Sequence, residues 1–226
     1  MKTRLMLVED HGLVREGLRA LLNAQDDMTV VGEAADGREA VRMVKRVKPD
    51  VVVMDTNLPR LNGVEATRQI TADASVKVLA LADASTNRAV GEMFQAGASG
   101  LLLKSASFDE LLQAIKRIAS GETYLGGAVA EIVVQHYIRG NGHNHGEGNG
   151  QTNGHTALTP REREVLQLLA EGHAPREVAG LLAISIKTVD THRHQIMKKC
   201  RFRGLADLTR YALREGLTTL HVEPQA

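Results

Sequence analysis

Four charged side chains in this 226-residue chain each close an apolar run. Glu9 and Asp10 follow Leu5-Met6-Leu7-Val8, Asp55 follows Val51-Val52-Val53-Met54, and Lys104 follows Leu101-Leu102-Leu103. Continuous apolar runs of this length suit parallel strands buried on both faces. The carboxyl ends of such strands are where open α/β sheets place their chemistry. If these strands share one sheet, three carboxylates and a lysine converge in one crevice. Carboxylates so close repel one another and titrate as a coupled set. A divalent cation relieves the repulsion, and hard oxygen donors favour Mg²⁺. With the cation bound, Asp55 can attack a phosphoryl donor and keep the group as an acyl phosphate. Lys104 then counters the added charge as a point cation. Asp55 also fits a simpler role, capping the turn Thr56-Asn57-Leu58-Pro59, and it is the other three residues that favour chemistry.

Such a crevice needs a scaffold of strands that all run one way, and the first 120 residues provide its pattern. Leu5–Val8, Thr29–Ala34, Val51–Asp55, Val76–Leu81 and Ser99–Leu103 read as strands. Between and after them lie helical stripes: Leu13, Val14, Gly17, Leu18, Leu21 and Leu22; Ala40, Val41, Val44 and Val47; Gly63 to Ile70; Arg88 to Gln95; and Phe108, Leu111, Leu112, Ile115 and Ile118. Five βα alternations imply a parallel sheet wrapped by helices.

Residues 1–121 resemble a response-regulator receiver domain of the flavodoxin-like fold. The resemblance rests on Glu9-Asp10, the Asp55-x-x-x-Pro59 turn, Gly63 and the Gly100-Leu-Leu-Leu-Lys104 end, in family order and spacing. It implies Asp55 as phosphoacceptor, with Glu9, Asp10, Asp55 and the backbone carbonyl of Asn57 as Mg²⁺ ligands and Lys104 at the phosphoryl group. Two positions depart from the family. Ala82 stands where receivers carry Ser or Thr to bond a phosphoryl oxygen. Leu101 stands where they carry the Tyr or Phe that moves inward on activation. A shift of register could bring Ser85 or Thr86 into place, but the spacing to Gly97 and Lys104 already matches without one. A methyl at residue 82 offers no such bond, so the signal is expected to reach the output weakly or by another route.

From residue 157 the pattern changes to short helices. Thr159-Pro160 with Glu162 has capping-box spacing, and Val165, Leu166, Leu168 and Leu169 form the inner face of that helix. A second helix starts at Pro175. A tight turn at Ile184-Ser185 leads to a third helix from near Lys187 to Cys200, and a fourth runs from Gly204 to Arg214. A short turn before a polar, basic helix follows helix-turn-helix grammar. Val189 and Ile196 face inward. Lys187, Thr188, Arg193, Lys198 and Lys199 project toward phosphates or bases, with Arg201 and Arg203 extending the basic edge. A four-helix bundle with a solvated charged face is the plainer alternative. Leu158-Thr-Pro-Arg-Glu162, Ser185-x-Lys-Thr-Val189-x-x-His192 and Ala212-Leu-Arg-Glu-Gly216 resemble a LuxR-type DNA-binding domain, so the whole resembles a NarL/FixJ-type response regulator. That resemblance implies Asp190, Thr191 and His194 as base-facing positions and the last helix as a dimer contact. Asp190 can accept from cytosine N4 or orient Lys187 or Arg193. Cys200 reads as a small buried hydrophobe.

Residues 122–156 join the two parts. Ala128 to Tyr137 reads as a short helix, and 139–156 is a Gly/Asn/His-rich tether. His143, His145 and His155 invite a metal reading, but glycine-rich chain supplies no fixed geometry. Net charge is +1, distributed as zero over 1–121, −2 over 122–156 and +3 over 157–226. Aromatics make up 3% with no Trp, so the cores are aliphatic, and one cysteine excludes an internal disulfide. No apolar run spans a bilayer and no signal peptide is visible.

The expectation is therefore a cytoplasmic, dimeric, promoter-binding regulator that is not an enzyme. A sensor histidine kinase or a small phosphodonor would phosphorylate it. The rival is a phosphorylation-independent pseudo-receiver that dimerises or senses a ligand. A flavodoxin-like enzyme is disfavoured, because Glu9-Asp10-His11 replaces a glycine-rich phosphate loop.

Overall fold

Strands form here where apolar side chains cover both faces of the sheet, and helices form where the apolar period lengthens. The computed structural model describes residues 2–72, 76–83, 87–131, 158–202 and 204–218. The chain divides into two compact units, Met1–Glu147 and Gly148–Ala226.

In the first unit, β1 (Thr3–Val8), α1 (Gly12–Asn23), β2 (Met28–Ala34), α2 (Gly37–Val47), β3 (Val51–Asp55), α3 (Gly63–Ala72), β4 (Lys77–Ala82), α4 (Asn87–Gln95), β5 (Gly100–Leu103) and α5 (Phe108–Ala119) alternate as expected. The sheet order is β2-β1-β3-β4-β5-β6, with every pairing parallel. The sheet has six strands rather than five. The sixth, β6 (Tyr124–Leu125), pairs Tyr124 with Gly100 and Leu125 with Leu101. Two residues are too few to show a period, and they lie in the stretch read as linker. Gly121, at φ 92°, turns the chain back after α5, a conformation that favours glycine. Helical backbone follows over 127–131, within the helix expected from Ala128 to Tyr137.

Strand residues alternate between the two faces of the sheet. Leu5, Leu7, Val53 and Leu79 face α5, where Leu111, Ile115 and Ile118 are buried. Met6, Val8, Val52 and Met54 face α2 and α3. Full burial of each such side chain contributes roughly 1.5–3 kcal/mol. α1 departs from expectation. Of its apolar stripe only Leu22 is buried, while Leu13 is 86% exposed and Val14 and Leu21 are about half exposed.

The second unit holds α6 (Pro160–Ala170), α7 (Pro175–Leu182), α8 (Ile186–Cys200) and α9 (Leu205–Arg214). Thr159 and Glu162 form the capping box, Thr159 N donating to Glu162 Oε2 (2.7 Å) and Glu162 N to Thr159 Oγ1 (3.2 Å). Ala183, left-handed at φ 51°, ends α7, and Ser185 Oγ accepts from Thr188 N (3.1 Å) to start α8. That pair of caps makes the turn tight. Val165, Leu166, Leu168, Val178, Val189, Ile196 and Leu208 fill one core. The tether 139–156 with His143, His145 and His155, the expected helix beyond Glu131, and Ser85, Thr86 and Arg203 lie outside the described residues.

Candidate functional site

β3 delivers Asp55 to the carboxyl edge of the sheet, where it is 1% exposed. Its Oδ2 accepts from Lys104 Nζ at 2.6 Å, and its Oδ1 accepts from the backbone N–H of Asn57 at 3.0 Å. Lys104 Nζ also lies 3.3 Å from Oε2 of Glu9, itself 2% exposed. Glu9, Asp10, Asp55 and Lys104 therefore meet in one place, as the strand-end argument requires. Gly63 makes the approach of α3 possible. A Cβ there would fall 2.2 Å from the carbonyl oxygen of Asp55 and 2.8 Å from the Cα of Thr56.

His11, which sequence reasoning did not single out, belongs to the cluster. Its Nδ1 lies 2.8 Å from Glu9 Oε1 and 2.9 Å from Asp10 Oδ1. One ligand atom from each of Glu9, Asp10, His11 and Asp55 falls within 4.8 Å of all the others. The available signal was adjacency, since His11 directly follows the acidic pair. Occupying the N-cap of α1, it makes no side-chain cap and turns toward the carboxylates instead. Asn57 spans the opposite lip, its Nδ2 donating to Asp83 Oδ2 at 2.8 Å.

The electrostatics divide the carboxylates. Burial drives the Asp55 carboxyl up to about 6, and the neighbouring Glu9 charge adds to the shift against the bonds from Asn57 and Lys104. Burial also pushes Glu9 upward, but the Lys104 charge and the bonds from His11 outweigh it and hold Glu9 below its ordinary value. The bond to Glu9 raises His11. Lys104 is raised as well, because Asp55 and Glu9 outweigh its burial. Near neutral pH the cluster thus carries more negative charge than Lys104 balances. Buried Glu9 Oε2 keeps the Lys104 ammonium at 3.3 Å as an ion-pair partner, and a set of hard oxygen donors this close together fits a divalent cation.

Ala82 and Leu101 are both buried, at 1% and 0% exposure. Lys104 N donates to Ala82 O at 2.8 Å, which couples the ends of β4 and β5 beside the site.

In the second unit α8 buries Val189 and Ile196, as expected. Lys187, Asp190, Thr191, Arg193, His194 and Lys198 are exposed. Lys187, Asp190, Thr191, His194 and Lys198 recur at three- and four-residue steps and so share a face. Two expected contacts are engaged within the unit. Thr188 Oγ1 lies 2.8 Å from Ser185 Oγ at the cap. Lys199 Nζ is 2.7 Å from Oε2 of Glu162, which is 2% exposed, so this ammonium ties α8 to α6 rather than facing outward. The last helix turns Leu208 and Ala212 into the core and leaves Leu205 60% exposed. Cys200 is half-buried, and burial pushes its thiol up.

A parallel α/β unit with acidic strand ends and a strand-end lysine, followed by a helix-turn-helix unit, defines a DNA-binding response regulator. Residues 5–116 match the response regulator receiver domain, and residues 156–212 match the LuxR family of bacterial regulatory proteins. The chain is 38% identical over 217 residues to the uncharacterized transcriptional regulatory protein YxjL of Bacillus subtilis, covering 96% of this chain and 97% of that one. It is 38% identical to the transcriptional regulatory protein LiaR of the same organism, covering 95% and 98%. The crystal structure of ChrA, response regulator of a heme-sensing two-component system, is 33% identical, with a TM-score of 0.53 over 96% of this chain and 98% of that one. This chain belongs to the two-component response regulators that carry a LuxR-type DNA-binding domain. Among the described residues no helix is long and apolar enough to cross a membrane.

Proposed function

We propose that Asp55 is the phosphoacceptor of a switch that sets the promoter affinity of α8. The observation that carries the reading is the buried Asp55 carboxylate held by Lys104 at 2.6 Å beside two further acids. Glu9, Asp10, Asp55 and the carbonyl of Asn57 would hold Mg²⁺, which when bound supplies positive charge to the incoming phosphoryl oxygens. Asp55 is largely ionised at neutral pH and attacks phosphorus as its carboxylate. The bond from phosphorus to a kinase histidine or a small-molecule leaving group breaks, and the departing group takes the electron pair. Lys104 passes from the carboxylate to the phosphoryl oxygens. The protein's own chemistry extends no further than this transfer and the hydrolysis of the acyl phosphate.

Lys187, Arg193 and Lys198 are the phosphate contacts of α8, and Asp190, Thr191 and His194 read base edges. Lys199 is left out because it serves Glu162, and Thr188 acts mainly at the cap. The protein works as a homodimer. Exposed Leu13, Val14 and Leu21 on α1 give one receiver an apolar face for a second copy, and Leu205 lies on the helix that pairs DNA-binding units in this family. A cytoplasmic setting follows from promoter DNA as target.

The test is promoter affinity at fixed salt, with and without beryllofluoride and Mg²⁺, for wild type and Asp55→Ala. The mimic is expected to tighten wild-type binding and leave the mutant unchanged. Ala82 and Leu101 favour a second reading, a receiver that dimerises or senses a ligand without phosphorylation. Equal affinities in all four arms would establish that reading instead.

A further inference from the structure

The chain that follows α5 lies against the two positions at which this receiver departs from its family. Val129 is fully buried, in one cluster with Ala80, Ala82, Val90, Met93 and Leu101. Its neighbours Gly127, Ala128 and Glu131 are exposed and Ala130 is partly so, which makes Val129 the one buried side chain of 127–131. The backbone before it is laced to β5: Tyr124 N donates to Ser99 O, and Gly126 N to Leu101 O, both at 3.0 Å. Gly126 sits so close that a Cβ would fall 2.8 Å from Leu102. Residues 124–131 therefore form a strap, held at one end by a short ladder and at the other by one apolar anchor.

The anchor occupies informative ground. Ala82 ends β4 beside the acidic site, and its carbonyl accepts from Lys104 N. Leu101 lies one strand over in register with Ala80. Ala82 is small and Leu101 carries no ring, and Val129 completes the buried cluster they form with Ala80 and the α4 residues Val90 and Met93. Interiors are close-packed, so a shift of either strand end is felt by whatever completes the packing.

We infer that the strap of residues 124–131 reads the state of the acidic site through Val129, in place of the hydroxyl and aromatic ring that this chain lacks. A phosphoryl group on Asp55 draws Lys104 away from the carboxylate. Lys104 N is bonded to Ala82 O, so the ends of β4 and β5 move with it and the cluster closes on itself. Val129 is expelled, and residues 124–131 come off the receiver. This inference rests on Asp55 as phosphoacceptor.

Linkage supplies the test, because two sites that are coupled are coupled reciprocally. If the phosphoryl state expels Val129, then loosening Val129 must favour the phosphoryl state. The experiment uses the full chain with Mg²⁺. Fluorine NMR measures beryllofluoride half-saturation for wild type and Val129→Ala, and hydrogen exchange is followed in 124–131 of the wild type with and without beryllofluoride. Val129→Ala is expected to bind the mimic roughly three- to tenfold more tightly, and exchange in 124–131 of the wild type is expected to rise at least tenfold with it. Equal half-saturation in both proteins, or unchanged exchange in a saturated wild type, overturns the strap. The exchange arm needs no variant and stands if Val129→Ala fails to fold. If beryllofluoride binds neither protein, the Asp55 reading falls, and with it the signal this strap is inferred to read.

Discussion

Cation affinity at the acidic cluster should follow the ionisation of Asp55. Burial places that carboxyl at about 6, whereas Glu9 is held low and stays ionised across the same range. A proton on Asp55 competes directly with Mg²⁺. With a pKa of about 6, Asp55 is roughly 90% ionised at pH 7 and roughly 10% ionised at pH 5, so affinity should fall about tenfold between them and level off above pH 7. His11 touches Glu9 and Asp10, and the bond to Glu9 raises its pKa, so its proton adds to the profile. His11→Asn removes that contribution and isolates Asp55. The assay is isothermal titration of the His11→Asn protein with Mg²⁺ at half-unit steps from pH 3.5 to 7.5. A half-point near 6 supports the argument. A flat profile, or a half-point below 4.5, refutes it, and would mean that the 2.6 Å bond from Lys104 outweighs the burial of Asp55.

The same shift has a stability consequence. A carboxyl raised in the folded state from 3.8 to about 6 leaves stability intact below pH 4 and erodes it as pH rises through 6. At about 1.4 kcal/mol per unit the upper limit is about 3 kcal/mol. Asp55→Asn is therefore expected to stabilise the cation-free protein by about 1–3 kcal/mol at pH 7.5, and urea melts at pH 4 and 7.5 check the difference. Gly63→Ala must push the backbone at Asp55 and Thr56 aside, and should destabilise the receiver by about 1–3 kcal/mol while lowering Mg²⁺ affinity, read by melting and titration. Lys198→Ala should lower the salt slope of promoter binding by about 1. Lys199→Met should leave that slope unchanged but destabilise the second unit by about 1–3 kcal/mol, because it strands buried Glu162; a reduced slope would return Lys199 to the DNA contacts. Ala82→Thr restores a hydroxyl whose bond to a phosphoryl oxygen contributes roughly 1.5–3 kcal/mol, less about 1 kcal/mol for crowding. Beryllofluoride should bind it several-fold more tightly, and promoter affinity should respond more strongly to the mimic; no change in that response would show that the hydroxyl is not what this chain is missing.

The outline of the first unit was legible because strand and helix periods depend on short-range sequence. Val51–Met54 can be buried on two faces only as a central strand, and that alone places Asp55 at the sheet edge beside Lys104 and Glu9. Features that depend on which surface is covered were not legible. The stripe on α1 has a regular apolar period, yet in the isolated chain it faces outward, since a period states that a face wants covering and not what covers it. Lys199 looked like any other cation on a basic helix until the capping box of α6 brought Glu162 beneath it, a pairing across 37 residues that no local pattern encodes. β6 and Val129 were hidden for the opposite reason: two strand residues and one anchored valine make no period at all. Yet they cover the cluster formed by Ala82 and Leu101. The two positions that looked in the sequence like lost parts of a switch belong, in the fold, to the same buried cluster as Val129.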